Sequence, residues 1–579
     1  MNAHAFGFRW KVVLVACLCA SSWGCQPETT APPVPSKLPA EVVPAPETKA
    51  TSEKPPILPQ FEDVAPTLGI VAPFFTDTVP GRYFLPEIMG GGATWLDFDQ
   101  DGQLDLYLTN GTRMEPGEQP TPRGNWLYRG RVNASFQLVE ESQGAADHGY
   151  GQGSAAGDFN ADGFPDLYVG NFGPNALYVN EGDGTFSRDT QAPELNDPAW
   201  TSSVLWLDLN RDGWLDLYVT NYLKVTLADS KVCEYEKRPG YCGPGQYDPA
   251  PDRVYLNQGD GSFVESSAAL GMTDTIGKGL AVLGADLNND RIPEIYVAND
   301  MTANFMYTLQ PGATTYSNMA MVGGTAQSGE GMNEASMGIA CADFDGDQLP
   351  DIYLTHYYNM QKTLYKNYGN LQFEDVSRRM RTAQTGFPFL GFGTLPIDFD
   401  GDGFHDLFVT NGHVLGPQVK PDRMTPQWLR NMQGKYFEDI TKQLTGYFRQ
   451  EWLGRGAAAA DFDNDGDIDI VVTHLDEPAA LLRNSTRTGM GFVGLDLRTP
   501  SRMSPCGTAV TITTSRGPVT RSVMTGGSYL SSSDPRLTVL IPASDPQVEF
   551  QIEWTSGQVQ KHSLSTNRYW RITEGQQPW

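Results

Sequence analysis

Carboxylates recur along this chain at a spacing that a hard cation can use. Seven loops of the form D-x-[DN]-x-D-(G)-x-x-[DE] start at Asp97, Asp158, Asp208, Asp286, Asp343, Asp398 and Asp461. Calcium takes six to eight oxygen ligands at about 2.3–2.6 Å. Carboxylates at positions 1, 3, 5 and 9 of a short loop, with a backbone carbonyl at 7, meet that demand. Asp97, Asp99, Asp101 and Asp105 fit, and Gly102 at position 6 allows the sharp turn. Asp398, Asp400, Asp402 and Asp406 form an equally complete set, as do Asp461, Asp463, Asp465 and Asp469. The second loop (Asp158, Asn160, Asp162, Asp166) and the third (Asp208, Asn210, Asp212, Asp216) carry Asn at position 3, which still offers an oxygen. The fifth (Asp343, Asp345, Asp347, Asp351) has Gln348 in place of glycine. The fourth (Asp286, Asn288, Asp290, Glu294) has Arg291 there and ends in Glu. Asp/Asn/Gly turns also cap hairpins without a metal. Three or four carboxylates in each of seven loops, however, repel one another unless a cation sits among them. Ca²⁺ is the expected cofactor.

What flanks the loops decides between architectures. EF-hand loops lie between helices. Here the loops run into Leu106–Thr109, Leu167–Val169, Leu217–Thr220, Ile295–Ala298, Ile352–Thr355, Leu407–Thr410 and Ile470–Thr473. These short runs are rich in β-branched and aromatic residues and read as strands. Runs of small residues precede the loops, such as Gly153–Gly157 and Gly456–Ala460, and suit an innermost strand crowded at an axis. A third strand follows, as at Ala176–Asn180 and Thr363–Asn367, and then a Gly-rich turn and an aromatic-bearing fourth. Four strands per repeat, seven times over, spell an all-β fold, a seven-bladed β-propeller. The seventh repeat lacks its outer strand, and Phe61–Ile70 resembles the missing piece. Residues 61–70 are therefore expected to close the last blade and hide its edge.

Together these features resemble the FG-GAP/VCBS repeats of integrin-α-like propellers, over residues 61–488. The resemblance implies calcium in the loop joining the first two strands of each blade. Residues 489–579 lack the loop motif and alternate as the strands of a small β-sandwich. Their strings GGSYLSSSDPRL (526–537), IEWTSGQVQ (552–560) and RITEG (571–575) look like the ASPIC/UnbV domain. The same order of domains occurs in the cartilage acidic protein family. Two stretches depart from that pattern, Ser501–Gly507 and Val539–Pro542.

The first 24 residues read as a signal peptide: Arg9 and Lys11 precede an apolar stretch too short to span a membrane. Cys25 then looks like the lipidation site of a bacterial lipoprotein, and residues 25–60 like a Pro-rich disordered tether. The chain is thus expected to be exported and lipid-anchored to the bacterial envelope. Net charge is −28, and the loop positions hold 25 of the 69 carboxylates. That acidity excludes the basic footprint that nucleic acid requires. Contact with the membrane is expected through the lipid anchor only. In an exported protein, Cys233 and Cys242 are expected to form a disulfide that pins the insertion between loops three and four.

The residue five after each final carboxylate is polar: Asn110, Asn171, Asn221, Asn299, His356, Asn411 and His474. These can be strand-end turns, or a ring presented to a ligand on the face opposite the loops. His356, His413 and His474 fall on three successive repeats and could hold a transition metal if they converged. Tyr357, Tyr358, Trp428 and Trp452 lie near them in sequence and could stack on a sugar or pack blade edges. No nucleophile elbow, Walker loop, HExxH or dinucleotide fingerprint is present. The expected function is non-enzymatic, adhesion-like binding of an extracellular protein or glycan. The rival is an enzyme acting on a polysaccharide or another polymer on the histidine-bearing face, and convergence of the histidines discriminates the two.

Overall fold

The computed structural model describes residues 57–114, 124–235, 237–415, 420–500 and 505–579. The leader, Cys25 and nearly all of the Pro-rich segment lie outside the described residues. Apolar runs alternate with Gly- and Asp-rich turns, and the fold is all-β in consequence, with only one-turn helices between strands.

Each of the seven loops joins the first two strands of an antiparallel sheet. The first sheet is Ala93–Leu96, Asp105–Leu108, Trp126–Gly130 and Phe136–Leu138. In the second, one long strand, Asp166–Asn180, serves as both second and third. The third to sixth sheets each have four consecutive strands, and the fourth gains Thr525–Gly526 as a fifth. The seventh is built from Gly454–Ala460, Asp469–His474 and Ala480–Asn484. Its outer edge is covered by Phe61–Asp63, which pairs antiparallel with Asn484–Leu482. The first strands of consecutive sheets lie against one another, and that of the seventh lies against that of the first.

Residues 490–573 form two further sheets. Met490–Arg498 lies between Leu537–Pro542 and Tyr569–Thr573, and Ala509–Thr514 and Gln547–Glu553 form the middle of the other. Their inward-facing Val493, Ile512, Ile541, Phe550 and Trp554 share one apolar core. Sequence periodicity missed Leu537–Pro542 and Val559–Ser565, whose short apolar alternation is broken by polar residues.

A loop from this C-terminal unit fills the space between the sheets' first strands. Thr525–Gly526 pairs with Leu283–Gly284 of the fourth sheet. Ser528 exchanges backbone bonds with Ile339 of the fifth and donates Oγ–H to Ala457 O of the seventh. Ser532 donates to Ala93 O of the first sheet and accepts from Trp95 N, and Asp534 N donates to Ala459 O. The fully buried Tyr529 packs against Phe392 of the sixth sheet and donates to Met89 O. Small residues on the first strands are needed for this approach. A Cβ on Gly92 would stand 1.6 Å from Leu530 O. Gly92→Ala is therefore expected to cost about 3 kcal/mol or more by overpacking, measured as a lowered midpoint of chemical unfolding.

Candidate metal centres

The seven loops share one hydrogen-bonding scheme. The position-1 carboxylate accepts the backbone N–H of position 6 in all seven and that of position 5 in five, as Asp461 does from Gly466 (2.8 Å) and Asp465 (3.0 Å). Position 5 accepts the N–H of position 7, as in Gln103 N to Asp101 Oδ1 at 2.9 Å. Position 6 is left-handed in every loop, including Arg291 (φ 67°) and Gln348 (φ 70°), where no glycine relieves the strain.

Four loops bring three carboxylates together. Ligand oxygens lie within 4.8 Å of one another in Asp97/Asp99/Asp101, Asp343/Asp345/Asp347, Asp398/Asp400/Asp402 and Asp461/Asp463/Asp465. The second, third and fourth loops pair two carboxylates with Asn160, Asn210 or Asn288 at position 3. Several of these oxygens are buried with no hydrogen-bond partner: Oδ1 of Asp99, Asp345, Asp398 and Asp463, and Oδ2 of Asp406. An unsatisfied buried carboxylate oxygen is costly, and a cation would satisfy it. The donor set is all oxygen and anionic, which suits a hard divalent ion.

Position 9 does a different job. Its carboxylates are buried and lie outside those clusters, and in five loops they accept backbone N–H groups from two directions. Asp351 Oδ2 accepts from Phe344 N at position 2, and Oδ1 from Asn367 N at the end of the third strand. Asp166, Asp216 and Asp469 repeat this. The strand-ending Asn then reaches the preceding sheet. Nδ2 of Asn180, Asn257, Asn367 and Asn431 donates to the position-2 carbonyls of Phe98, Phe159, Leu287 and Phe344, at 2.7–2.8 Å. Sequence reasoning missed this tie, although an Asn ends five of the third strands.

Burial raises the loop carboxyls above their ordinary range. Asp97 and Asp208 are pushed up to about 6, Asp398 and Asp461 to about 7, Asp216 to about 7, and Asp166 and Asp351 to about 8. Desolvation is the main cause in each, with neighbouring carboxylates adding to it.

The C-terminal unit reaches the fourth, sixth and seventh loops, and Glu553 pairs with Arg291 of the fourth. Arg521 pairs with Asp398 Oδ2 at 3.4 Å. Tyr569 donates to Asp461 Oδ2 at 2.7 Å, and Arg536 to Asp461 O at 3.0 Å. A space of about 850 Å³ separates the first two loops from Arg536, Tyr569 and Trp579.

The reading of a ligand-presenting ring is corrected. Asn110, Asn171, Asn221, Asn299, His356, Asn411, His413 and His474 are all buried. The Asn side chains hold strand-end turns: Asn221 Nδ2 donates to Pro251 O, Asn299 Nδ2 to Ala303 O and Asn411 Nδ2 to Thr425 O. The histidines sit in separate surroundings. His356 Nδ1 donates to Gln361 O and Nε2 lies 3.3 Å from Ser336 Oγ. His474 Nδ1 donates to Pro478 O, and Tyr447 Oη lies 2.8 Å from Nε2. His413 lies between Tyr357 and Tyr358. Burial pushes His356 down to about 3 and the other two to about 4, so all are neutral near pH 7. Among the described residues no candidate metal group contains a histidine. Trp428 is fully buried against Phe61 and Phe399, and Trp452 stacks on His474. Cys233 and Cys242 are disulfide-bonded across the hairpin of Val232–Tyr235 and Arg238–Tyr241.

An FG-GAP-like repeat model matches residues 97–169, 158–219, 286–354, 343–409 and 398–472. An ASPIC and UnbV model matches residues 499–578. Cartilage acidic protein 1 of Xenopus tropicalis is 22% identical over 372 residues, covering 63% of this chain and 53% of that protein. The Homo sapiens protein is 24% identical over 362 residues, covering 58% and 50%. The chain spans about half the length of these curated relatives. Among solved structures, an Agrocybe aegerita lectin that recognises non-reducing terminal N-acetylglucosamine is 14% identical, with a TM-score of 0.37, covering 67% of this chain and 86% of its own. YCF48 from Cyanidioschyzon merolae is 12% identical with a TM-score of 0.38, covering 70% and 96%. Likeness at that level transfers no function.

Two outcomes follow from this geometry. Asp469→Ala strands the N–H groups of Phe462 and Asn484 and is expected to cost roughly 2–4 kcal/mol, in chelator as well as in calcium, by chemical unfolding. In chelator, stability is expected to fall by several kcal/mol between pH 6.5 and 8. The folded state there still binds protons that unfolded carboxylates, titrating near 4, have lost. The buried histidines are neutral in the fold and take up protons on unfolding only near pH 6.5, so they oppose the trend at the lower end of the window. Lys362, pushed down to about 7 by burial, opposes the trend as a single group. A urea midpoint that rises with pH would refute the assignment.

Proposed function

Because this chain belongs to the FG-GAP-like repeat family and carries an ASPIC and UnbV domain, we propose that it is an exported, calcium-stabilised binding protein rather than an enzyme. On this reading the seven sheets are the blades of a seven-bladed β-propeller, and the C-terminal domain is docked on its loop face and plugs its axis. Residues 61–488 and 489–579 are the two domains. Lipidation at Cys25 would tether them to the bacterial envelope. The disulfide suits an oxidising compartment. Among the described residues no helix is long and apolar enough to cross a membrane.

The observation that carries the calcium reading is the set of buried carboxylate oxygens without partners in the acidic loops. Positions 1, 3 and 5 would hold the ion, and position 9 ties the loop to the neighbouring strand. The ion would neutralise each loop and fix its turn, which is a structural task. Extracellular calcium modules bind at about 10⁻⁴–10⁻³ M, so these sites would fill outside the cell.

The separate surroundings of His356, His413 and His474 support the binding reading over a histidine-centred enzyme site on that face. Antiparallel alternation puts the links between second and third strands, and between sheets, at the end opposite the loops. That end carries exposed Tyr235, Met301, Met332 and Phe387, and an extracellular protein or glycan would dock there.

Thermal unfolding of the chain from residue 26, without its lipid, is the test. Millimolar CaCl₂ is expected to raise the midpoint well above its value in EGTA by mass action, with calcium found by elemental analysis. Equal midpoints and no bound calcium would overturn the proposal. The loaded protein would then be screened on glycan and matrix-protein arrays, where retention without turnover is expected.

A further inference from the structure

The third strands carry a second pattern. The residue before the strand's last member is basic in the first, fifth, sixth and seventh sheets: Arg129, Lys366, Arg430 and Arg483. These are the four sheets whose loops have Asp at position 3. In the second and third sheets the same place holds Val179 and Leu256, in the fourth the register-equivalent residue is Thr308, the last of its strand, and position 3 is Asn in all three. Base and third carboxylate are therefore present together or absent together in all seven repeats.

The side chains meet. Arg129 Nε lies 2.8 Å from Asp99 Oδ2, and Arg430 Nη2 lies 2.5 Å from Asp400 Oδ2. Lys366 pairs with Asp345 Oδ2 and, at 2.7 Å, with Asp347 Oδ2. Arg483 instead donates to Glu62 at 3.2 Å. In the first and fifth sheets the base takes Oδ2 of position 3, while Oδ1 is buried and has no hydrogen-bond partner. Counted over positions 1, 3, 5 and 9 and the base, every loop carries the same formal charge: four carboxylates with a base, or three without one.

We propose that Arg129, Lys366 and Arg430 are positioning residues of the calcium sites: each engages the position-3 carboxylate, leaves it an oxygen for the ion, and keeps the loop's charge at that of the loops that lack the third carboxylate. The inference rests on the calcium reading above. Matched charge lets one divalent ion serve these loops with the same residual charge. It also gives them a third-strand counter-ion when calcium is removed.

Hydrogen exchange of residues 97–108 reads one loop among the seven. Arg129→Val is expected to speed exchange there about tenfold in EGTA and to leave it unchanged in millimolar CaCl₂. Arg129→Lys, which keeps the charge, is expected to match the parent. Asp99→Asn with Arg129→Val rebuilds the first loop in the image of the second, and is expected to respond to calcium as residues 158–169 of the same protein do. If Arg129→Val accelerates exchange equally in both buffers, the arginine is only packing and the proposal falls. It falls too if the double variant shows the product of the two single effects. In both cases the six other loops still respond to calcium, so the wider reading stands. If no loop of the parent responds to calcium, both fail together.

Discussion

The buried carboxylate that ends each loop is the interaction on which the rest of this molecule depends. In five of the seven loops it binds the amide at the loop's start and the amide at the end of the third strand, as Asp351 does, so one side chain fixes the turn, the second strand and the third. Where that third strand ends in Asn, the same residue reaches back to the previous sheet, as Asn367 does to Leu287. Tyr316 does this for the third and fourth sheets through Leu209 O. Loop conformation, strand order and sheet-to-sheet registry are therefore set by one short hydrogen-bonded chain repeated around the molecule. Buried amides rarely go unpaired, and this scheme answers for those at the most crowded point of every sheet.

A division of labour within the loop follows. Position 9 takes backbone amides from the protein itself, whereas Asp398 at position 1 and Asp99, Asp345 and Asp463 at position 3 keep an oxygen without a partner. Burial, with the neighbouring carboxylates adding to it, raises Asp97 and Asp208 to about 6. A repeat that omits one carboxylate also omits its base, as Asn160 and Val179 show beside Asp99 and Arg129.

Much of this was legible in the sequence because it is local. The acidic loops and the strands after them are written within about ten residues each, and their recurrence spells a repeat. The limits were set by range and by burial. Nothing near Ser528 or Tyr529 says that they will bond to Ile339, Ala457 and Met89, because those partners stand more than seventy residues away in the chain. The polar residue at each strand end looked available to a ligand. In the fold, Asn221 and Asn299 spend their amides on turn carbonyls that only the returning third strand brings close. His356, His413 and His474 share a repeat position or nearly so, yet similar positions on different sheets point into different packing, and they never meet. The third-strand bases were readable in principle, by aligning the third strands rather than the loops alone.

The axial loop also sets an order of assembly. The strand that seals the seventh sheet, Phe61–Asp63, is among the first of the described segments to be synthesised, while the loop around Tyr529 that fills the centre emerges near the end. Until then the first strands face a hollow lined with Gly and Ala and cannot complete their bonds. Contacts spanning more than four hundred residues, such as Ala93 with Ser531, are slow to form because chain entropy must be lost before they reward it. A polypeptide of this design keeps its centre open until the segment around Tyr529 arrives, and that segment locks the seven sheets together.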